Sequence, residues 1–572
     1  MLKIQSSYQW NYPSGELAER AMSLSREWGT QPVIAMLMLR RDLETRDKQK
    51  SFFVPKLEFL HDPYLMADMH KAVDRIIQAK ESNQKFMIYG DYDVDGTTSV
   101  ALLARYFKHF HDNFITYIPD RYKEGYGLSK AGIDFALEAG CSLLIALDCG
   151  IKAVDLVDYA NTKGLDIIIC DHHTPAEILP NAVAVLDPKR SDCLYPYKEL
   201  SGCGVGFKLL TALDLKTNRN GDFLMQQLDI LALSIGADIV PITGENRILA
   251  YFGMRQIKTF PSLGINALIK VSGRAIHSID DVVFSVAPRI NAAGRIEHGS
   301  LAVELLSTED PHRAKLLAEK VNLLNQQRRD LDKTITNEAL EQIKSSLNPD
   351  APATVVWSDS WNKGVIGIVA SRLIETHYRP TIVLTRSGDV YAGSARSVEG
   401  FDLYQALDKC RDTLIQFGGH KYAAGMTILP DKLEAFKAKF LSTVSLSIEP
   451  DQKTPTLYID AVLPFEQIDD TLINTLRRMH PFGPSNMKPV FVTRNLMVTD
   501  NSKKVGSDLT HLKMELVDPQ SGETINAIAF GMGDKLEALI ASERVHVAYH
   551  LEENHWNGKV SKQLHVLDVV SE

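Results

Sequence analysis

The heptapeptide GDYDVDG places Asp91, Asp93 and Asp95 at alternate positions between Gly90 and Gly96. Three carboxylates this close repel one another unless cations neutralise them, and a hard divalent metal is their natural partner. A calcium-binding EF-hand loop opens the same way, but its twelfth position must be a bidentate Glu; here that position is Leu102, inside an apolar run, so that chemistry is excluded. The bland alternative is a solvated acidic turn capping a helix. Further candidates end other apolar runs: Asp148 in LIALDCG, Asp171-His172-His173 after LDIIIC, and Asp238 in SIGADIVP. Adjacent imidazoles face different ways, so one can bind metal while the other meets substrate. A carboxylate-rich set with one or two imidazoles and no thiolate favours manganese or magnesium over zinc. Two such ions, about 3.5 to 4 Å apart, activate a water and stabilise a phosphoryl leaving group. The chemistry these residues suggest is metal-assisted phosphoester hydrolysis.

The elements that must bring them together are legible as a pattern. FMIYG (86–90), FITYI (114–118), SLLIALD (142–148), LDIIICD (165–171) and AVAVLD (182–187) read as short apolar strands, with helices through TTSVALLARYF and from Val154 to Lys163 between them. Strands spaced by helices predict right-handed crossovers and a mostly parallel sheet. Such sheets bind ligands beyond the carboxyl ends of their strands, which is where the acidic and imidazole residues fall.

The rest of the chain predicts further domains. Its 572 residues exceed one hydrophobic core, and 45% hydrophobic with 24% charged residues is ordinary for a folded globular protein. The formal charge of −9 gives no global attraction to a polyanion, so any nucleic acid must be gripped locally. Six cysteines without a CxxC pair suggest neither a disulfide framework nor a zinc knuckle, and point to a reducing cytoplasm. The amino terminus lacks an apolar leader pattern, and VIAMLML at 33–39 is far below the roughly 20 residues of a membrane span, so no membrane partner is expected. Pro311 to Leu347 reads as one long helix connecting domains. Residues 353–450 alternate strand and helix again, with helices from Val365 to Thr376 and from Leu403 to Phe417. Beyond about 455 the alternation Val545, Val547, Tyr549, Leu551, a turn at Asn557-Gly558 and one helix at 534–542 suit either an oligonucleotide-binding barrel or a generic small β domain.

GDYDVDG, ALDCG, CDHH and GADIVP together resemble the DHH phosphoesterases. IPDRYKEGYG (118–127), SGCGVGFKL (201–209), PRINAAGR (288–295), GVIGIVASR (364–372) and GGHKYAAG (418–425) extend the likeness over nearly the whole chain, toward the family's single-strand-specific 5′ exonucleases. The resemblance implies an α/β fold: a DHH parallel-sheet domain joined by a long helix to a smaller α/β DHH-associated domain, plus a C-terminal β oligonucleotide-binding barrel. The expected boundaries are an N-terminal extension at 1–48, the DHH domain at 49–310, the connector helix at 311–347, the DHH-associated domain at 348–452 and the barrel at 453–572. It implies that Asp93, Asp95, Asp148, His172 and Asp238 hold two divalent ions, manganese or magnesium, with Asp91 beside them and His173 facing the scissile phosphate. It also implies nucleic-acid contacts from Arg121, Tyr122, Tyr126, Arg289 and Arg295, and, in the second α/β domain, from Ser394, Arg396, Gly418, Gly419 and His420. The competing readings are a salt bridge from Arg295 to Glu297 or Glu304, and a plain helix-to-strand turn at the glycine pair. Relatives often carry His before GVIG; this chain has Asn362-Lys363, so no role passes to that position.

The activity so implied is metal-dependent hydrolysis of single-stranded DNA from its 5′ end, in DNA repair and recombination, by a cytoplasmic monomer working with a single-strand-binding protein and a RecQ-type helicase. Residues 485–572 carry nine Lys or Arg against twelve Asp or Glu, so any DNA contact there must be a narrow stripe such as Lys503, Lys504, Lys559 and Lys562, with stacking by Trp556. Two rival functions remain at this level: a DHH-type phosphoesterase of short oligonucleotides or small phosphorylated nucleotides, and a non-catalytic single-strand-binding scaffold.

Overall fold

The computed structural model describes residues 4–345, 351–556 and 559–571, the side chains of His555 and Trp556 excepted. The turn expected at Asn557-Gly558, the stacking expected of Trp556 and the last two residues of the expected long helix lie outside the described residues. The chain forms two units: one holds 45–329 with 479–487, the other holds the residues through Glu44, 330–478 and those from Lys488 onward.

In the first unit the five apolar runs are strands, ordered Phe114–Tyr117, Phe86–Gly90, Leu143–Leu147, Asp166–Cys170, Ala184–Leu186, and every pairing is parallel. The first and third strands of the chain are thus neighbours, and the connections leave them in opposite directions. That is the switch point at which an open parallel sheet offers a crevice beyond its carboxyl ends. Both strands are buried throughout. Phe86, Ile88, Leu143, Ile145 and Leu147 face a core shared with Val100, Leu103 and Leu210. Met87, Tyr89, Leu144 and Ala146 face the opposite core, with Ile133 and Val157. A sheet covered on both faces needs continuous apolar strands, which confines polar chemistry to the strand ends.

In the second unit a five-stranded sheet is ordered Gln416–His420, Ala423–Ile428, Val390–Arg396, Thr381–Ser387, Thr354–Ser358, with only the last pair parallel. The helix expected from Leu403 to Phe417 is corrected here. It stops at Asp408, a short 3-10 turn spans Arg411–Thr413, and Gln416–His420 is an edge strand. Cys410 completes the buried face of Leu403, Ala406 and Leu407; the chain beyond it is drawn into pairing, Gln416 opposite Thr427. The glycine pair therefore lies within a hairpin strand, not at a helix-to-strand turn.

The long helix runs Pro311–Ser345, and the division between the units falls inside it. Toward the carboxyl end, Phe491–Val498 pairs with His511–Val517 and Val545–Trp556, Lys559–Ser571 pairs with Val545–Trp556 and, in parallel, with Thr524–Ala529, and Thr524–Ala529 pairs back to His511–Val517. The ring closes as a five-stranded barrel of oligonucleotide-binding topology. Its helix is shorter than expected, Leu536–Ile540. The amino-terminal strand Gln9–Asn11 pairs in parallel with Thr456–Tyr458, and Trp10 Nε1 donates to Asp568 on the last barrel strand (2.8 Å). No helix among the described residues is long and apolar enough to cross a membrane.

Candidate metal centre

Each acidic candidate of the first unit stands where a strand or helix stops. Asp91, Asp93 and Asp95 follow Phe86–Gly90; Asp93 caps helix Val94–Phe107, its Oδ1 accepting from Gly96 N (3.1 Å). Gly96 is required there, because a Cβ would lie 2.3 Å from Asp91 O. Asp148 ends Leu143–Leu147, with its amide donating to Cys170 O (2.9 Å) and φ of 59°. Asp238 ends helix Leu228–Ala237, and Ile239 after it has φ of 60°. Left-handed backbone in two non-glycine residues, one of them β-branched, costs on the order of 1–3 kcal/mol each and marks a conformation that the surroundings impose.

The side chains converge on His172. Its Nε2 lies 3.1 Å from Asp148 Oδ1, 3.5 Å from Asp238 Oδ2 and 3.8 Å from Asp95 Oδ2. Donor atoms of Asp95, His172 and Asp238, and of Asp148, His172 and His173, form two sets, each within 4.8 Å and sharing His172. Asp91 and Asp93 are outside these tight sets, yet close enough that their charges bear on Asp148.

Asp95 is the best-held member. Its carboxylate accepts from the amides of Gly202 (2.6 Å) and Cys203 (2.9 Å) at the start of helix Gly202–Lys216, and from Ser234 Oγ (2.6 Å). A helix amino terminus is a natural seat for a carboxylate. Gly202 permits it, since a Cβ would lie 2.7 Å from Asp148 Cβ. The SGCGVG motif thus serves the acidic site, a role that the sequence reading did not assign to Gly202 or Ser234.

Asp171 was likewise named without a role. It is buried, accepts from Ile151 N (2.9 Å), His172 N (2.7 Å) and His173 N (3.1 Å), and takes a further hydrogen bond from His173 Nδ1 (2.7 Å). The pair fixes the His173 ring and leaves Nε2 facing outward, 3.0 Å from Tyr126 Oη. Burial opposes charge on His173, but the Asp171 hydrogen bond and charge, with Asp95 and Asp93, raise its pKa. The same contacts outweigh burial at Asp171 and hold it at about 2.

The other carboxylates shift the opposite way. Burial, with Asp93 alongside, pushes Asp91 up to about 8; burial, with Asp95 and Asp93, pushes Asp238 up to about 9. Asp148 is driven well above the carboxylate range by burial and by Asp95, Asp93 and Asp238, while burial lowers His172. Asp91 Oδ2, Asp148 Oδ1, Asp238 Oδ2 and both ring nitrogens of His172 are buried without a hydrogen-bond partner. A neutral imidazole facing the unpartnered oxygens of Asp148 and Asp238 is a poor arrangement for protein alone and a good one for divalent cations.

Three family models match in order: the DHH family N-terminal domain over 85–235, the DHHA1 domain over 350–446 and the RecJ OB domain over 459–568. The single-stranded-DNA-specific exonuclease RecJ of Bacillus subtilis is 36% identical over 569 residues, covering 99% of this chain and 71% of that protein. The chain belongs to the RecJ family. The Haemophilus influenzae RecJ is 32% identical, over 89% of this chain and 91% of its own. The crystal structure of Thermus thermophilus RecJ in complex with Mn2+ superposes with a TM-score of 0.83 at 26% identity, covering 98% of this chain and 79% of that one.

The basic residues expected of a RecJ-family protein divide into engaged and open. Arg121 stacks its guanidinium 3.8 Å over the Tyr92 ring, and its Nε is buried without a partner. Tyr126 is more than half exposed, Tyr122 Oη donates to Arg295 O, and Glu297 and Glu304 pair with Lys320 and Arg313. Arg289 donates from Nε to Asn322 Oδ1 (2.9 Å) and from Nη1 to Ser285 O.

In the second unit Arg396 donates to Ser394 Oγ (3.1 Å) and Ala395 O (2.8 Å), and burial lowers its pKa. A Cβ on Gly367, at the start of helix Ile366–Thr376, would lie 2.9 Å from Ser394 Oγ and 3.1 Å from Arg396 Nη2. A hydroxyl, a guanidinium and a helix amino terminus form a cradle suited to an anion. Asn362 Oδ1 accepts from Gly364 N (2.8 Å), closing the turn that precedes helix Ile366–Thr376. Gly418 and His420 are exposed on the edge strand; Gly419 has φ of 149° and no room for a Cβ, which would meet Ala423 O at 2.3 Å. On the barrel, Lys504 pairs with Glu537 and Lys562 Nζ donates to Ile468 O.

Proposed function

We propose that this chain is a divalent-metal-dependent exonuclease that hydrolyses the phosphodiester bonds of single-stranded DNA from the 5′ end, in DNA repair and recombination. The observation that carries the reading is the convergence of Asp95, Asp148 and Asp238 on His172 at the sheet's switch point, in a chain whose relatives are single-stranded-DNA-specific exonucleases.

Asp93, Asp95, Asp148, His172 and Asp238, with Asp91 behind them, would hold two ions, manganese or magnesium. When bound, these supply the Lewis acidity that activates a water and offsets charge on the phosphate. The chain's own contribution is placement. Asp171 keeps the Nδ1 proton on His173, so that Nε2, when protonated, donates outward to a phosphate oxygen in place of Tyr126. Arg121 adds positive charge beside Asp91 and Asp93, and Tyr126 offers a ring for a base. Arg289 and Arg295 stay with this group, Arg289 oriented by its hydrogen bonds to Asn322 Oδ1 and Ser285 O. Ser394 and Arg396 take a phosphate, and the edge strand of Gly418, Gly419 and His420 offers backbone donors to the strand. We place the enzyme in the cytoplasm as a monomer, with a single-strand-binding protein and a RecQ-type helicase as working partners.

The test uses oligonucleotides labelled at either end, with Mn2+ present. Mononucleotides should leave the 5′ end of a single strand, a dinucleotide should turn over far more slowly than a long strand, and Asp148→Ala should lower activity at least about a thousandfold. A 5′ end that persists while the 3′ end shortens, or an active Asp148→Ala, contradicts the proposal.

A further inference from the structure

The turn that carries Asp238 is held from outside. Ile239 is 69% exposed and left-handed, a conformation that β-branched residues avoid, and its own side chain offers nothing to maintain it. The anchors come just after. Pro241 O accepts from Tyr197 Oη (3.2 Å) and Asn246 Nδ2 (3.1 Å), and Ile242 N donates to Pro484 O (2.8 Å). Pro484 belongs to 479–487, a segment inside the range of the RecJ OB family match yet packed in the unit that carries Asp238.

That segment is itself clamped. Arg247, 2% exposed on helix Gly244–Thr259, donates from Nη1 to the carbonyls of Met479 (2.9 Å) and Pro481 (3.2 Å), from Nη2 to His480 O (3.0 Å) and from Nε to Phe52 O (3.1 Å). Its guanidinium lies 3.7 Å over the Phe52 ring, and Asn486 Nδ2 closes the segment on Met479 O and Pro481 O. Gly483 sits so close to Ile242 that a Cβ would come within 2.6 Å of Ile242 Cγ1. A buried guanidinium spread over three carbonyls of one distant segment is a costly desolvation to maintain unless that segment must stay where it is.

We propose that 479–487, seated on Ile242 through Pro484 and Gly483, is the positioning element for Asp238, and that Arg247 is the residue that keeps it seated. The segment supplies no ligand; it acts by holding the left-handed turn that aims the Asp238 carboxylate at His172. This rests on the reading of Asp238 as a member of the metal centre.

The test is Mn2+ titration calorimetry on the full chain. Gly483→Ala should bind Mn2+ about tenfold more weakly, the scale of a lost support to a metal ligand. It should recover kcat at saturating Mn2+ with little change in KM for the oligonucleotide. Adding Ile239→Asn, whose side chain tolerates the left-handed region, should restore the affinity without the anchor. If Gly483→Ala does not yield folded protein, Arg247→Lys, which loses the fork, gives the same readout. Wild-type affinity in the anchor variant, or failure of Ile239→Asn to restore it, overturns the positioning role. Absence of Mn2+ binding by the wild type would instead overturn the metal centre itself.

Discussion

A carboxylate that touches no metal can decide what its neighbours do. Asp171 was visible in the sequence only as the first letter of a DHH triplet; the structure makes it the acceptor of His173 Nδ1 and of two successive amides. In Asp171→Asn the ionised acceptor is gone and the ring is free to exchange tautomers. His173 also loses the largest support for its charge, so its pKa falls. If protonated His173 donates to the phosphate, kcat should drop by roughly 10- to 100-fold, the usual cost of removing a carboxylate that orients an active imidazole. The alkaline limb of the pH profile should also move to lower pH. A variant with unchanged kcat and an unchanged alkaline limb would show that His173 works without that support. The sequence could not reveal this, because the hydrogen bond depends on a rotamer within one turn rather than on spacing.

Elements were legible where burial dictates their pattern. Strands covered on both faces have to be continuous apolar runs, so Phe86–Gly90, Leu143–Leu147 and Asp166–Cys170 were found to within a residue, and with them the acids at their ends. Leu403–Phe417 was misread because its apolar spacing satisfies a helix over one half and an exposed edge strand over the other; pairing with Ala423–Ile428 settles it, and that partner is not local. The support for Asp95 was equally hidden, since helix Gly202–Lys216 reaches it only in three dimensions. That support gives an element-scale prediction. In Gly202→Ala the new methyl group would meet Asp148 Cβ at 2.7 Å and Oδ1 at 2.8 Å, forcing helix and acid apart. Thermal melts should show a loss of about 1–3 kcal/mol, as for overpacking elsewhere, and calorimetry an Mn2+ affinity at least about tenfold weaker. Gly15→Ala, where the methyl group meets nothing within 4 Å, is the matched control. A destabilised Gly202→Ala that kept wild-type metal affinity would detach the helix from the site.

At the scale of the whole molecule, the acidic cluster ties stability to pH and to metal. Asp91 and Asp238 have folded-state pKa values of about 8 and 9, above those of the same groups in an unfolded chain, and Asp148 is raised in the same sense. The metal-free native state therefore binds more protons than the unfolded state across this window. Linkage then requires stability to fall as pH rises from the ordinary carboxylate range through about 9. Divalent ions reverse the trend by replacing those protons: they bind the native state, compete with protonation, and stabilise it more as the carboxylates ionise. Melting curves at pH 5.5 and pH 8.5, each with chelator and with Mn2+, separate the two effects. The chelated protein should melt at the lower temperature at pH 8.5, and the rise in Tm on adding Mn2+ should be several degrees larger there than at pH 5.5. Equal metal-induced shifts at both pH values would mean that the protons and the ions do not share a site. The carboxylates raised by burial and by one another's charge would then be structural acids, and the case for a metal centre at the strand ends would fail with them.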